Sequence, residues 1–421
     1  MRILVFLWLG LSSLFAVDAT LEVVKKFANM PSIIVEDSST REVERGLTLR
    51  VYKMLVGDLK VSSHFNVQEG GASSFDMVMD YGAYRQKKVD LVAKVKAGRE
   101  GSGILAELRL YDVNSGDSVF AKSYTVARED RYPFVAHKMA IDINNYIKAP
   151  SIDWMNRFVV LSKYTAPSES QIVVADYTLT FQNVIIKDGR LNIFPKWANE
   201  QQDAIYYTKY LTKPTLFRYN LYTGESRKIT ESEGMLVASD VSADGKKLLL
   251  TMAPHTQSDI FLFDTQTGTR KQLTRYPGID VSAHFIEDER RIMFISDRLG
   301  YPNVFATGLD GSETVEQMVF HGRNNNAASA FGQYIVYSSR ESSNEFDTNT
   351  FNLYLVSTKS DYIRRLTANG VNQMPRFSQD GETVMYLKHN GAQSALGVIR
   401  LNYNKSYLFP LPSGKIQSMD W

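Results

Sequence analysis

Beyond residue 150 the apolar residues come in short runs of alternating or continuous hydrophobicity, divided by polar, glycine-containing turns. This is the spacing of strands, and the runs repeat. Bulky residues stand at Trp197, Val241, Phe285, Phe331, Phe377 and Trp421, separated by 44, 44, 46, 46 and 44 positions. Each but the last leads through a polar turn into an apolar strand. A second strand follows, as in Asp259–Phe263 or Asn352–Val356. Then come a turn such as Thr265-Gln266-Thr267-Gly268 and a closing strand ending in Ile229-Thr230, Leu273-Thr274 or Leu366-Thr367. Four short strands per repeat of this length predict the blades of a propeller, because a lone four-stranded sheet cannot bury both faces. Six markers predict six inner strands. The last, Gln417–Trp421, has no second strand after it, while Arg157–Leu161, Gln171–Ala175 and Phe181–Ile186 stand unassigned before the first repeat. Pairing the C-terminal strand with these three closes the ring and removes its open edge.

The first 150 residues follow another pattern. Pro31–Val35 reads as a strand, and Ser39-Thr40-Arg41-Glu42 as a capping box opening a helix with Val43, Leu47, Val51 and Leu55 on its apolar face. Val89–Val95, Leu108–Tyr111 and Phe120–Val126 read as strands, and Pro133 suits the first turn of a second helix ending near Ile147. Lys148-Ala149-Pro150-Ser151 looks like a boundary. The expected architecture is an α+β N-terminal domain over residues 20–150, then an all-β six-bladed β-propeller over 151–421.

Charge and composition narrow the function. The net charge is only +2, and basic residues come as scattered pairs such as Lys246-Lys247, Arg290-Arg291 and Arg364-Arg365, so no concentrated basic face marks a nucleic-acid binder. Arg2 followed by the apolar run Ile3–Phe15 reads as a secretory signal over residues 1–19, with cleavage after Ala16 or Ala19. The absence of cysteine removes disulfides, thiol nucleophiles and a lipid-modified cysteine, and with an export signal it points to a bacterial periplasm.

Few motifs carry chemistry. Ser242-Ala243-Asp244-Gly245 and Ser378-Gln379-Asp380-Gly381 are hairpin turns, where Gly accepts positive φ, rather than calcium loops. Gly101-Ser102-Gly103-Ile104-Leu105-Ala106 matches a dinucleotide fingerprint in form, but a strand follows it instead of a helix. The six histidines include no H-E-x-x-H and there is no G-x-S-x-G, so neither a metal nor another cofactor is expected. Interest falls on the loops at one propeller face: Glu233–Ala238, Pro277–His284, Arg323–Ser329 and Ala368–Met374, with the outer loops Asp297–Asn303 and Arg340–Thr350. Their mixture of amide, imidazole and apolar side chains suits a protein interface. The alternative is a hydrolase or lyase acting in the central channel, for which His284 and Asp280 are the candidates. A sugar-binding face would have Tyr301 and Phe346 as platforms.

The chain resembles the TolB family, the soluble periplasmic components of Tol-Pal envelope systems. Asp58-Leu59-Lys60-Val61-Ser62-Ser63-His64-Phe65-Asn66 is similar to the family's D-L-x-x-S-G-x-F-N stretch. Arg131–His137, Val174-Ala175-Asp176-Tyr177 and the repeat starts fall where the family has its counterparts. The resemblance implies a non-enzymatic adaptor that binds the lipoprotein Pal at the propeller mouth and TolA through its mature N-terminus, with other outer-membrane proteins as further partners. By position, Met235, Ala238, Val281 and His284 fall at the Pal-facing mouth, joined by Asn325, Asn326 and Asn372 from the mouth loops. Leu21, Glu22, Val23 and Val24 fall in the TolA-binding segment. Such adaptors support outer-membrane integrity and constriction at cell division. The chain departs from the family where its fourth repeat, Phe331-Gly332-Gln333, has lost the usual turn.

Overall fold

A computed structural model describes residues 30–39, 42–77, 79–310, 314–341 and 349–421. The signal-like run 1–19, Leu21, Glu22, Val23 and Val24, Thr40 and Arg41 of the capping motif, and Phe346 lie outside the described residues. The described residues form two compact units. One runs as far as Pro150 and includes Asn402–Asn404; the other holds Ser151–Leu401 and Lys405–Trp421.

The first unit is a five-stranded sheet with the order 2-1-3-4-5. Its strands are β1 (Ser32–Asp37), β2 (Asn66–Ala72), β3 (Leu91–Glu100), β4 (Gly103–Asp112) and β5 (Asp117–Val126). Three helices accompany them: α1 (Glu42–Ser62), α2 (Tyr81–Gln86) and α3 (Tyr132–Tyr146). β1 lies parallel to both β2 and β3, and parallel neighbours need a crossover, which α1 supplies. Leu47, Val51, Leu55 and Leu59 recur every four residues along α1 and are all buried, the stripe that periodicity predicts. Inside the unit α1 and α3 are clasped by a fully buried pair, Asp58 Oδ2 and His137 Nδ1, 2.8 Å apart. The glycine-rich segment 101–103 is the tip of the β3–β4 hairpin. Neither β2 nor α2 is evident in the sequence. β2 reads Asn-Val-Gln-Glu-Gly-Gly-Ala, mostly exposed at the sheet edge, so it carries no apolar alternation.

The second unit is a six-bladed propeller. Its inner strands are Asn192–Trp197, Leu236–Val241, Asp280–Ile286, Arg323–Phe331, Val371–Phe377 and Ile416–Asp420. The repeat markers stand at or beside the ends of these strands. The second strands are continuously apolar, as in Leu248, Leu249 and Leu250, all fully buried. Both faces of a blade lie against a neighbour, so alternation is lost. Tyr206 and Leu216 of one blade thus share a core with Leu236, Leu248 and Phe261 of the next.

Closure is by the C-terminal strand. Ile416–Asp420 pairs antiparallel with Val159–Ala166, in a sheet completed by Glu169–Ala175 and Gln182–Ile186. The pairing also reaches into the next blade: Phe194 N–H donates to Ser418 Oγ at 3.0 Å and Trp197 N–H to Asp420 Oδ2 at 2.9 Å. The Asp-Gly segments are turns. Gly245 has φ 70°, and Asp244 Oδ1 accepts from Ser242 Oγ at 2.7 Å and from Lys246 N–H at 3.0 Å, which occupies that oxygen with the turn's own donors.

Deleting 416–421 should strip one blade of its inner strand and leave buried donors of the next blade without acceptors. The expected cost is at least about 3 kcal/mol, read as a fall in the urea midpoint. An unchanged midpoint would mean that closure does not run through this strand.

Candidate functional site

Successive inner strands all begin at one end of the ring and finish at the other, so their side chains line a channel. None is a regular strand. Pairing registers slip between Ala238 and Asp240, Val281 and His284, Arg323 and Ala327, Gln373 and Arg376, and Ile416 and Ser418. Phe194, Ser282 and Met374 hold positive φ of 52°, 56° and 52°. Such bulges bend a strand and re-aim the side chains beyond them.

Just past the bulges, one position before each repeat marker, stand Lys196, Asp240, His284, Ala330, Arg376 and Asp420. Five of the six are ionisable, and they meet. Lys196 Nζ lies 3.0 Å from Asp420 Oδ1 and 3.2 Å from Asp240 Oδ1. Asp240 Oδ2 is 3.7 Å from His284 Nδ1, and Arg376 Nε is 3.4 Å from Asp420 Oδ1. The fifth blade contributes only Ala330, and across it Arg376 Nη1 reaches His284 Nε2 at 3.4 Å. An arginine can only donate, so Nε2 accepts and the imidazole proton sits on Nδ1, facing Asp240.

Burial alone would lower the Lys196 ammonium, but Asp420 and Asp240 outweigh it and hold the group above its ordinary value. Burial would raise Asp240, yet Lys196 and His284 carry it well below the usual carboxylate range. His284 is pushed down by burial and then by Arg376, against the pull of Asp240. At neutral pH the ring therefore holds two cations, two anions and a neutral imidazole, and its charges cancel.

The ring divides two spaces. Toward the strand starts lies a cavity of about 190 Å³ with walls of Phe194, Pro195, Val237, Ala238, Val281, Met374 and Met419. Toward the strand ends the channel opens into a vestibule of about 1160 Å³ bordered by Asp240, Asp420, Glu200, Glu287, Arg157 and Trp421.

The sequence-predicted residues divide accordingly. Met235, 43% exposed, stands at the rim of the small cavity, with Ala238, Val281, His284 and Asn326 lining it. Asn325 and Asn372 do not belong with them. Both are fully buried, and their amides are used within the blades. Asn325 Nδ2 donates to Asn303 Oδ1 at 2.9 Å, and Asn372 Nδ2 to the Phe351 carbonyl at 2.8 Å. They brace strand starts and present no side chain to a partner. Asp280 is also fully buried, with both carboxylate oxygens 3.1 Å from Arg298 Nη2. His284 instead meets Asp240 and Arg376, so the channel does not join His284 and Asp280 as an acid–base pair. Tyr301 has Arg323 over its ring at 5.9 Å, and no three His, Asp or Glu side chains among the described residues gather as a metal cage. Sequence reasoning missed the charge ring. Its signal is the Lys, Asp, His, Ala, Arg, Asp series at the repeat spacing, each one residue before a marker.

Comparison with known proteins bears on both units. A model of the TolB amino-terminal domain matches residues 19–119, and one of the TolB beta propeller domain matches residues 156–421. The Tol-Pal system protein TolB of Helicobacter hepaticus is 50% identical over 410 residues, 97% of each chain. Its namesake from Helicobacter pylori strain HPAG1 is 45% identical over 420 residues, covering 99% of this chain and all of the other. The crystal structure of TolB from Acinetobacter baumannii superposes with a TM-score of 0.75 at 20% identity, over 93% of this chain and 96% of that one. At that identity the superposition speaks for the fold.

His284 supplies a pH test. Its folded pKa lies below its unfolded value of about 6.5, so the folded state binds fewer protons. The stability it contributes is present above that value and is lost as pH falls through the folded pKa. Between pH 7 and pH 5 the melting temperature should fall more steeply in the wild type than in His284→Gln. Parallel pH profiles would show that the imidazole is not held neutral in the ring.

Proposed function

The chain belongs to the TolB family, and on that premise we propose that it is a non-enzymatic periplasmic adaptor of a Tol-Pal system that binds the lipoprotein Pal at the propeller mouth. The carrying observation is the apolar-walled cavity at the strand starts, with the half-exposed Met235 at its rim. Around the same end of the blades Ile279 is 38%, Leu299 51% and Phe320 82% exposed. Apolar side chains gathered at one end of a folded domain suit a protein interface. A pocket this small and apolar takes the anchoring side chains on which most binding energy concentrates.

The other parts of the reading rest on the family. TolA is read by the segment containing Leu21, Glu22, Val23 and Val24, and export follows from the signal-like residues 1–19. Engagement of Pal at the outer membrane and of TolA from the inner membrane gives the role in outer-membrane integrity and constriction at division. Other outer-membrane proteins are further partners of the same kind.

Calorimetric titration with the soluble domain of the Pal-like lipoprotein from the same genome tests this reading. Met235→Glu and Val281→Glu should each weaken binding by roughly tenfold or more, Met235→Glu without lowering the melting temperature because its side chain is 43% exposed. Full affinity in both variants would put the partner elsewhere. No binding by the wild type at high micromolar concentration would remove the adaptor reading altogether.

A further inference from the structure

The charge ring is polarised along the channel axis. Lys196, His284 and Arg376 line the mouth cavity, whereas Asp240 and Asp420 line the vestibule at the opposite end. Lys196 reaches both sides, but neither carboxylate is part of the mouth lining. The mouth is therefore an apolar funnel with a cationic floor, although the ring as a whole is neutral.

One donor at that floor is unspent. Arg376 uses Nε on Asp420 and Nη1 on His284 and the Pro375 carbonyl. Among the described residues its Nη2 has no hydrogen-bond partner. A free guanidinium N–H of a cation at the floor of an apolar-walled cavity is matched by a carboxylate, through a charge-assisted hydrogen bond. The size of the cavity narrows the source. About 190 Å³ is below the roughly 300–1,000 Å³ of small-molecule and cofactor pockets, but it admits a side chain inserted from outside.

We propose that the mouth cavity is the receptor for an Asp or Glu side chain of the protein partner, carried on an apolar loop that fills the funnel, with Arg376 as the residue that receives it. This rests on the adaptor reading and adds the chemistry of the anchor. An incoming carboxylate brings one negative charge to a neutral ring, and His284 is placed to restore the balance. The charged groups facing it are Asp240, Arg376 and Lys196. A bound anion offsets Arg376, which with burial and Lys196 keeps the imidazole neutral. Docking should then raise the proton affinity of His284.

The test is a double-mutant cycle by calorimetry. The protein carries Arg376→Gln, each Asp or Glu of the lipoprotein's soluble domain is changed in turn to its amide, and melts confirm that every variant is folded. Lys196 still pairs with Asp420 in Arg376→Gln, so the ring keeps its closure. Arg376→Gln should weaken binding by at least about tenfold, and Arg376→Lys should recover part of the loss. One acidic residue of the partner should show the same loss, with no further loss when the two changes are combined. Titration at pH 6 in buffers of different ionisation enthalpy should show proton uptake that His284→Gln abolishes. Binding that is weakened by Met235→Glu but indifferent to Arg376→Gln, or additive losses with every partner carboxylate, would overturn the acidic anchor and leave the mouth interface standing. No wild-type binding would overturn both.

Discussion

A four-stranded blade with two apolar faces has no stable existence alone in water, and each blade here is buried only by its neighbours. The pairing of Ile416–Asp420 with Val159–Ala166 makes this arrangement finite. It gives the first blade its inner strand, and with it the ring has no free end. The same five residues bring Asp420 into the channel, where its carboxylate accepts from the Trp197 backbone and pairs with Lys196 and Arg376. Closure of the fold and assembly of the polar ring are therefore one event. Removing either partner of such a buried pair leaves a charge without compensation, which is why these contacts weigh more than the many exposed ion pairs on the blade edges.

The ring in turn gives the two ends of the channel different chemistry. Bulges just upstream of it turn Phe194, Ser282 and Met374 through positive φ, so apolar side chains crowd the mouth while the ionisable groups sit below them. At the fifth blade the series has Ala330, which carries no charge. His284 and Arg376, from the blades on either side of it, meet directly. The mouth consequently has greasy walls over a positive floor, and the wide vestibule has the carboxylates.

The blade repeat was legible because it rests on bulk and periodicity: Trp197, Phe285, Phe377 and Trp421 mark inner strands whichever partners they later find. The closing pairing was legible for a related reason, since three strands before the first repeat lacked a fourth. The site was only partly legible. Met235, Val281 and His284 line or rim one cavity, whereas Asn325 and Asn372 turn inward. An amide at a strand start looks the same in sequence whether it faces a partner or caps its own blade. The ring itself was overlooked because its members share a register and not a residue type. Lysine, aspartate, histidine and arginine do not read as one motif until the blades place them side by side. β2 escaped notice because an exposed edge strand containing two glycines has no apolar face to announce it.

On the function proposed above, this propeller receives its partner at the mouth, above the charge ring, while the opposite end of the channel stays free. Hydrogen–deuterium exchange on the complex with the lipoprotein domain tests this directly. The account predicts slowed exchange at 233–238, 278–284 and 323–329, with no change at 286–290 and 331–334 around the vestibule. Protection at the vestibule turns with the mouth loops unaltered would contradict it.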